Sequence, residues 1–305
     1  MKRKVIQIAD KTFVISLPSE WVKRFNISKG DEVDLKEFND GLIISSQNQL
    51  GATASIRINI ANLNERVIRW YLSALHKSGY DELEINYIDK DQLKLIYELM
   101  KNLFTGFNII SETKNVVILK SISKENKEEF DAALRRSFRV TISMGSELIE
   151  CLKTKNYDKL QLIKEKELLN NQLTNFCERL VNKHRFEKSV FQYIIIWNLE
   201  KICDNYKYII NELEKKNTDI KIQPQISKEL IDIFELANNY LEQYYDILFN
   251  FNITKLNAID ELKKQIMSKT SSLKLSGLDK EILSHLIVLI TQATDFSASI
   301  IAMNV

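Results

Sequence analysis

Apolar and polar positions near the N-terminus follow the short pattern of strands. Between residues 4 and 48, runs of β-branched and apolar residues are separated by turn residues, which predicts two hairpins. Pro18 ends the second strand, because it lacks a donor for the ladder, and Ser19 is placed to cap a short helix over 20–25. A unit of this size buries little apolar surface alone, and the pattern therefore predicts dimerisation.

Residues 53–122 show strand patterns that alternate with two helical stretches. This order predicts a small α/β segment. The segment contains no glycine-rich phosphate loop and no grouping of a nucleophile with a base, and we assign it no function. Nothing else in the chain predicts enzyme chemistry, since His76, His184 and His285 are isolated from one another.

From residue 124 to residue 305 the apolar positions recur at helical spacing. Breaks near 155–156, 184–185, 250–252 and 272–280, with a polar run around Pro224, predict two tandem three-helix bundles over about 124–217 and 226–305. A weak internal repeat supports this division. It aligns "NLEKICDNYKYII" with "LITQATDFSASII", which places Asp204 opposite Asp295.

Composition changes this picture only slightly. No run of twenty uncharged apolar residues and no signal peptide are evident, which predicts a cytoplasmic protein without membrane insertion. The three cysteines, Cys151, Cys177 and Cys203, are far apart in helical segments, and we predict free, partly buried thiols. The net charge of +2 favours no class of partner.

The charges of the N-terminal unit are divided along the chain. Residues up to 24 are mainly basic, whereas residues 25–48 are mainly acidic. In a two-fold dimer each basic side chain would occur twice and could neutralise DNA phosphates. The alternative is a surface that only keeps the protein in solution, and the charges alone favour this alternative over DNA binding. The candidate DNA contacts are Lys2, Arg3, Lys4, Lys11, Lys23 and Arg24.

The order of signals in "KRKVIQIADKTFVISLPSEWVKRFNISKGDEVDLKEFNDGLIIS" resembles the SpoVT/AbrB family. Along the chain, members of this family contain a β-hairpin, an "ISLPxEW" stretch, a short helix, a "GD-V" turn and closing strands, in that order. The resemblance covers residues 1 to about 50. It implies a swapped-hairpin β-barrel, in which strands of two subunits interleave and basic residues contact double-stranded DNA. Some members only dimerise or bind a partner protein.

Two carboxylates in the helical part are spaced to share one helix face. Glu200 and Asp204 lie at i and i+4 in "NLEKICDN". Carboxylates on the inner or rim face of a bundle are costly unless they are paired or bind a cation. The alternative is an ordinary surface pair that forms salt bridges with Lys201 or Lys207.

The same helix resembles the signature helix of the PhoU family, with its Leu-Glu-x-x-x-Asp pattern. The resemblance spans about residues 126–305 and implies tandem three-helix bundles, negative regulation of phosphate uptake, and divalent or iron-type metal ions held by acidic pairs. Carried over by position, the metal residues are Glu200, Asp204 and Asp295. Thr291 breaks the second pair, and only half of each middle-helix pair is present, at Glu167 and Asp260.

Together the two resemblances predict a phosphate-responsive transcriptional regulator. It would be a homodimer that binds DNA through the N-terminal domain and senses or relays phosphate status through the helical domain. The alternative is an adaptor that does not bind DNA. Such an adaptor would dimerise through the hairpins and negatively regulate a phosphate transporter or a signalling kinase by protein contact.

Overall fold

The chain is described by a computed structural model that covers residues 2–9, 11–38, 41–46, 54–123, 125–184, 186–220, 224–273, 275 and 277–305. It divides into two compact units, Met1–Ala54 and Ser55–Val305. The division falls close to the predicted end of the hairpin domain. The second unit contains both the α/β layer and the helices.

The first unit contains two antiparallel hairpins with a short helix between them. Its elements are β1 (Ile6–Ile8), β2 (Thr12–Val14), α1 (Ser19–Arg24), β3 (Val33–Phe38) and β4 (Gly41–Ser46). The predicted cap is wrong by one residue, because Pro18 occupies the N-cap position and no side chain caps the helix. Each hairpin is a separate two-stranded sheet, and interleaving between two chains stays a prediction.

The second unit begins with a four-stranded sheet and two helices. Its elements are β5 (Ser55–Asn59), α2 (Glu65–Lys77), β6 (Glu82–Asn86), α3 (Lys90–Asn102), β7 (Phe107–Thr113) and β8 (Val116–Ser121). The strand order is β5-β6-β8-β7, with β5 and β6 parallel and the other pairs antiparallel. Asn64 and Asp89 cap the two helices through side-chain oxygens, because each accepts a hydrogen bond from a first-turn N–H.

Helices form the rest of the second unit. They are α4 (Lys127–Thr154), α5 (Leu160–His184), α6 (Ser189–Ile220), α7 (Lys228–Phe249), α8 (Lys255–Ser272), α9 (Leu278–Thr294) and α10 (Phe296–Asn304), with a 3₁₀ turn at Tyr157–Lys159. The break at Lys155 is a left-handed C-cap with φ of 54°. Two predicted boundaries differ, since α6 continues to Ile220 and the last predicted helix is interrupted at Asp295.

The two groups of helices share one continuous apolar core. Helix α9 packs on α6, and α7 packs on α4. At this contact a Cβ on Gly145 would lie 2.3 Å from Asn238 Oδ1. The same oxygen accepts a hydrogen bond from the buried Tyr206 hydroxyl at 3.0 Å, while Asn238 Nδ2 donates to Ser146 Oγ at 2.9 Å. Glycine is therefore required where α4 approaches this polar link.

A buried guanidinium joins the α/β layer to the helices. Arg179 of α5 is fully buried and donates to Asp81 at 2.6 Å, to Glu125 at 2.8 Å and to the Tyr80 carbonyl at 2.6 Å. Burial alone would raise the pKa of Glu125, but Lys183 and Arg179 lower it to about 2. These contacts make the layer and the helices parts of one unit.

His76 lies beside this junction in an apolar pocket. Its ring stacks on Phe104 at 4.9 Å and meets Phe107 at 5.3 Å, and no described side chain forms a hydrogen bond with either ring nitrogen. Burial, together with the charge of Arg179, lowers the pKa of His76 to about 3. The imidazole is thus held neutral inside the fold.

Helices α9 and α10 form the single stretch in the described parts of the chain that is long and apolar enough to cross a membrane. Over Leu278–Asn304 the mean hydropathy reaches 1.7, and 39% of the window is buried in the protein. Ile282, Leu286 and Leu289 belong to the shared core. Core helices pass this test as well, and the absence of membrane insertion stays a prediction.

Candidate nucleic-acid interface and helical charge ladder

The six predicted DNA contacts lie at three places in the first unit. Lys2, Arg3 and Lys4 precede β1, Lys11 lies between β1 and β2, and Lys23 and Arg24 occupy the last turn of α1. All six side chains are exposed. Lys23 and Arg24 also complement the negative end of the α1 dipole, which gives them a structural role besides any contact with DNA.

A tight turn follows α1. The chain reverses through Asn26, with φ of 49°, and Ile27 N–H donates to the Val22 carbonyl at 3.0 Å. Asp31 then accepts a hydrogen bond from Ser28 N–H at 2.7 Å. Gly30 has φ of 101°, a conformation that residues with a Cβ rarely adopt, as the "SKGDEV" turn predicts.

No residue of the first unit is buried, as far as its described positions go. The large apolar side chains of the hairpins face outward, with Phe13 69% and Leu35 64% exposed. The others are Val5, Ile6, Ile8, Ile15, Leu42 and Ile43. So much exposed apolar surface on one small unit is typical of an interaction surface.

A second charged constellation lies on α5 and α6. Lys207 Nζ is 2.6 Å from Glu167 Oε1 and 2.6 Å from Asp204 Oδ1. Six residues earlier on α6, Lys201 Nζ is 3.3 Å from both Glu200 Oε1 and Asp204 Oδ2. The predicted pair of Glu200 and Asp204 therefore shares one face, and lysines bridge it.

The constellation continues to the α/β layer through Lys77 of α2. Its Nζ is 2.6 Å from Glu178 Oε2 and 3.6 Å from Glu200 Oε2. Lys77 and Lys201 also lie 5.6 and 5.0 Å from the centre of the half-exposed Trp197 ring. We call this alternating row the charge ladder. It consists of Glu178, Lys77, Glu200, Lys201, Asp204, Lys207 and Glu167.

Burial and pairing oppose each other along the ladder. Burial alone would lower the pKa of Lys207, but hydrogen bonds to Asp204 and Glu167 outweigh it and raise the pKa. Burial raises the pKa of Glu178, and the Lys77 charge offsets part of this shift. Burial and the nearby Glu178 raise the pKa of Tyr193 to about 12. The ladder is thus held together mainly by its own opposite charges.

Asp295, the third predicted metal residue, lies apart from these contacts in an exposed position between α9 and α10. Across the described residues, no three His, Cys, Asp or Glu side chains are grouped as a metal ion requires. The metal set of Glu200, Asp204 and Asp295 stays a prediction.

Sequence reasoning missed Lys77 and Glu178, two of the seven ladder residues. Lys77 and Glu178 come from other elements, and their separation in the chain hides the contact. Lys201 and Lys207 were named only as salt-bridge partners of a surface pair, whereas Asp204 is 13% exposed. The available signal was the regular alternation of acids and lysines along α6.

The three cysteines, predicted as free and partly buried thiols, are free but more deeply buried than predicted. Cys151, Cys177 and Cys203 are free and fully buried. Tyr240 and Tyr244 are core residues, and their hydroxyls bond to Thr294 and Ser297 at 3.0 and 2.7 Å.

One comparison with known proteins matches the first unit. The family model described as "Antidote-toxin recognition MazE, bacterial antitoxin" matches residues 6–50. No curated protein and no solved structure matches the chain, and the PhoU resemblance gains no support from these comparisons. The chain therefore consists of a small β-rich unit similar to MazE/AbrB-like antitoxin domains, followed by a mostly helical body.

Proposed function

We propose that this protein is a homodimeric regulator that binds double-stranded DNA through its first unit. The observation that carries the proposal is the match of residues 6–50 to an antitoxin domain, together with the exposure of the six candidate contacts. Basic groups that occur twice in a dimer neutralise phosphates and release counterions. In this proposal Arg3, Lys11, Lys23 and Arg24 make the main contacts, and Lys2 and Lys4 support them.

Dimerisation is the second part of the proposal. The exposed apolar side chains of both hairpins would be covered by a second chain, with strands that interleave into a barrel as the AbrB resemblance implies. Support comes from the lack of any buried residue in the described part of this unit. Folding and association of such a unit would be coupled.

In this proposal the helical body senses or relays a signal to the first unit, without enzyme chemistry, in a cytoplasmic protein. The choice of phosphate status as the signal rests on the resemblance of the α6 segment to the PhoU signature alone. Metal ions on this body rest on the same resemblance.

A second candidate is recognition of a protein. The matching family is described by its recognition of a toxin, and the exposed hairpin surface suits an apolar partner as well as a second copy. In this candidate the first unit would dimerise, and the chain would act as an adaptor on a toxin, a transporter or a signalling kinase without contacting DNA.

Duplex binding across a salt series separates the two candidates. For a DNA binder the logarithm of the affinity falls linearly with the logarithm of the salt concentration, by about 0.9 for each phosphate contact. We expect this slope for the wild type against pooled genomic duplexes. We expect a shallower slope and weaker binding when Lys11, Lys23 and Arg24 are all changed to alanine.

A matched variant controls for the loss of charge. Lys127, Lys269 and Lys280 are exposed on the helical body, and changing them to alanine removes the same number of charges. This variant should bind as the wild type does. If the wild type binds no duplex at low salt while remaining dimeric, DNA binding is wrong and the adaptor candidate replaces it.

A further inference from the structure

The charge ladder has the carboxylates of a cation site, but lysine ammonium groups already lie beside them. A hard divalent cation requires several anionic oxygens that are free to coordinate it. The ladder supplies carboxylates from α5 and α6, on the face where the PhoU resemblance implies a metal. Whether a metal fits depends on what already neutralises these oxygens.

Lys207 occupies the position between two of the carboxylates. Its ammonium nitrogen is 2.6 Å from Glu167 Oε1 and 2.6 Å from Asp204 Oδ1, so both oxygens converge on one cation. The two carboxylates are 8% and 13% exposed, which leaves water little access to them. Asn171 Nδ2 donates to the same Glu167 oxygen at 2.7 Å.

Lys201 occupies the equivalent position between Glu200 and Asp204, at longer distances of 3.3 Å. This is the pair that the sequence predicts as metal ligands. Lys77 closes the far end with a short contact to Glu178 and a longer one to Glu200. Each of the four carboxylates therefore faces at least one ammonium, and the residues present do not fit a divalent metal.

We propose that lysine ammonium groups hold the cation positions of the charge ladder, so that the Glu167–Asp204 and Glu200–Asp204 pairs take a divalent metal only after a lysine is removed. An ammonium on the same chain is held beside the carboxylates at a high effective concentration, and a metal ion must first displace it. The body of this protein is then stable without metal. The inference is independent of whether the first unit binds DNA.

The test uses the full chain and Mn²⁺ as the probe. We expect wild-type protein to bind no stoichiometric Mn²⁺ by electron paramagnetic resonance, and its Tm to be equal in EDTA and in millimolar MnCl₂. The variant Lys207→Met keeps the length of the side chain but removes its charge. In EDTA its Tm should fall by roughly 5–10 °C, because two buried carboxylates lose their partner.

Mn²⁺ should then restore most of that loss, with about one equivalent bound, because the Lys207→Met variant exposes the Glu167–Asp204 pair to a cation. Lys215→Met is the matched control. Lys215 lies on the same helix and pairs with Glu212 in a largely exposed position. Its loss should neither lower the Tm measurably nor create a site for Mn²⁺.

Two results would overturn the proposal. The first is stoichiometric Mn²⁺ binding by the wild type that Glu200→Gln abolishes, which would restore the metal prediction. The second is a folded Lys207→Met variant that gains no Mn²⁺ site. If the Lys207→Met variant does not fold, Lys201→Met applies the same test at the Glu200–Asp204 pair, where the lysine contacts are longer. The Mn²⁺ titration of the wild type tests the proposal without either variant.

Discussion

The two units of this chain differ in the exposure of their apolar side chains and in the pairing of their charged ones. In the first unit most of the described apolar side chains of the strands are exposed, and none of its described residues is buried. In Ser55–Val305 the apolar residues form two large cores, and the charges at the junction are paired. We expect the first unit to need a partner chain, whereas the second unit has large apolar cores of its own.

This difference indicates where partners act. A surface that exposes both apolar and basic side chains can bind a second chain through the former and a polyanion through the latter. A body whose buried charges neutralise one another has little need of an ion or a partner for stability. Substitutions in each unit test this contrast, and they are ordered from the largest expected effect to the smallest.

The largest effect should come from Arg179→Met. Removing the buried guanidinium leaves Asp81 and Glu125 with fewer partners, and the free energy of unfolding should fall by about 3–5 kcal/mol in urea. Arg69→Met is the control, because Arg69 forms exposed pairs with Glu65 and Glu98. Its cost should be about 0–1 kcal/mol. Equal effects of the two variants would contradict the assigned role of the junction.

Gly145→Ala tests the close contact between α4 and α7. The added methyl would overlap Asn238 Oδ1 and the Tyr206 hydroxyl and displace their hydrogen bond. Overpacking of this kind costs about 1–3 kcal/mol, measurable by urea unfolding. An unchanged unfolding free energy would show that the helix groups do not meet as tightly as described.

Acid should destabilise the second unit through His76. Its pKa is about 3 in the folded state against 6.5 for a free side chain, so the unfolded chain binds more protons between these values. Stability should therefore fall as the pH drops below 6.5, by about 2 kcal/mol at pH 5. Glu125, with its pKa of about 2, adds a loss only below pH 4.5.

His76→Leu should remove most of the slope between pH 7 and pH 5, because an apolar side chain in the same pocket takes up no proton. Urea unfolding at both pH values measures it. If the slope persists in the variant, another group carries the titration.

The smallest effect should come from changing Lys11, Lys23 and Arg24 together to alanine. These exposed side chains belong to the first unit, and the unfolding free energy of the second unit should change by less than about 0.5 kcal/mol. Circular dichroism at the helical wavelengths follows that unit selectively. A larger loss would mean that the two units depend on each other for stability.

The parts that sequence predicted well depend on local chemistry. The hairpins, the turn at Gly30 and the strands and helices of 53–122 follow from residues that are close in the chain. The missed boundaries also have local causes. Helix α6 runs to Ile220 because Glu and Lys are good helix formers and the sequence contains no Gly or Pro between Ser189 and Pro224. The interruption between α9 and α10 falls at Asp295, a residue type that favours helix ends.

The parts that sequence could not predict depend on contacts between distant residues. Lys77 and Glu178, like Arg179 and Asp81, are about a hundred positions apart. His76 gave no signal beyond its isolation, and its neutral state follows only from the pocket of Phe104 and Phe107. Spacing identified Glu200 and Asp204 and the neighbouring Lys201 and Lys207, but the contact of Lys77 with Glu200 was visible only in three dimensions.

The central claim is that the first unit is completed by a second copy of the chain. Sedimentation equilibrium of the full chain tests it most directly, beside the variant Phe13→Ser/Leu35→Ser, which makes two exposed apolar positions polar. We predict a wild-type dimer at micromolar concentrations and a monomeric variant whose helical body remains folded. A wild type that sediments as a monomer at these concentrations would contradict the claim.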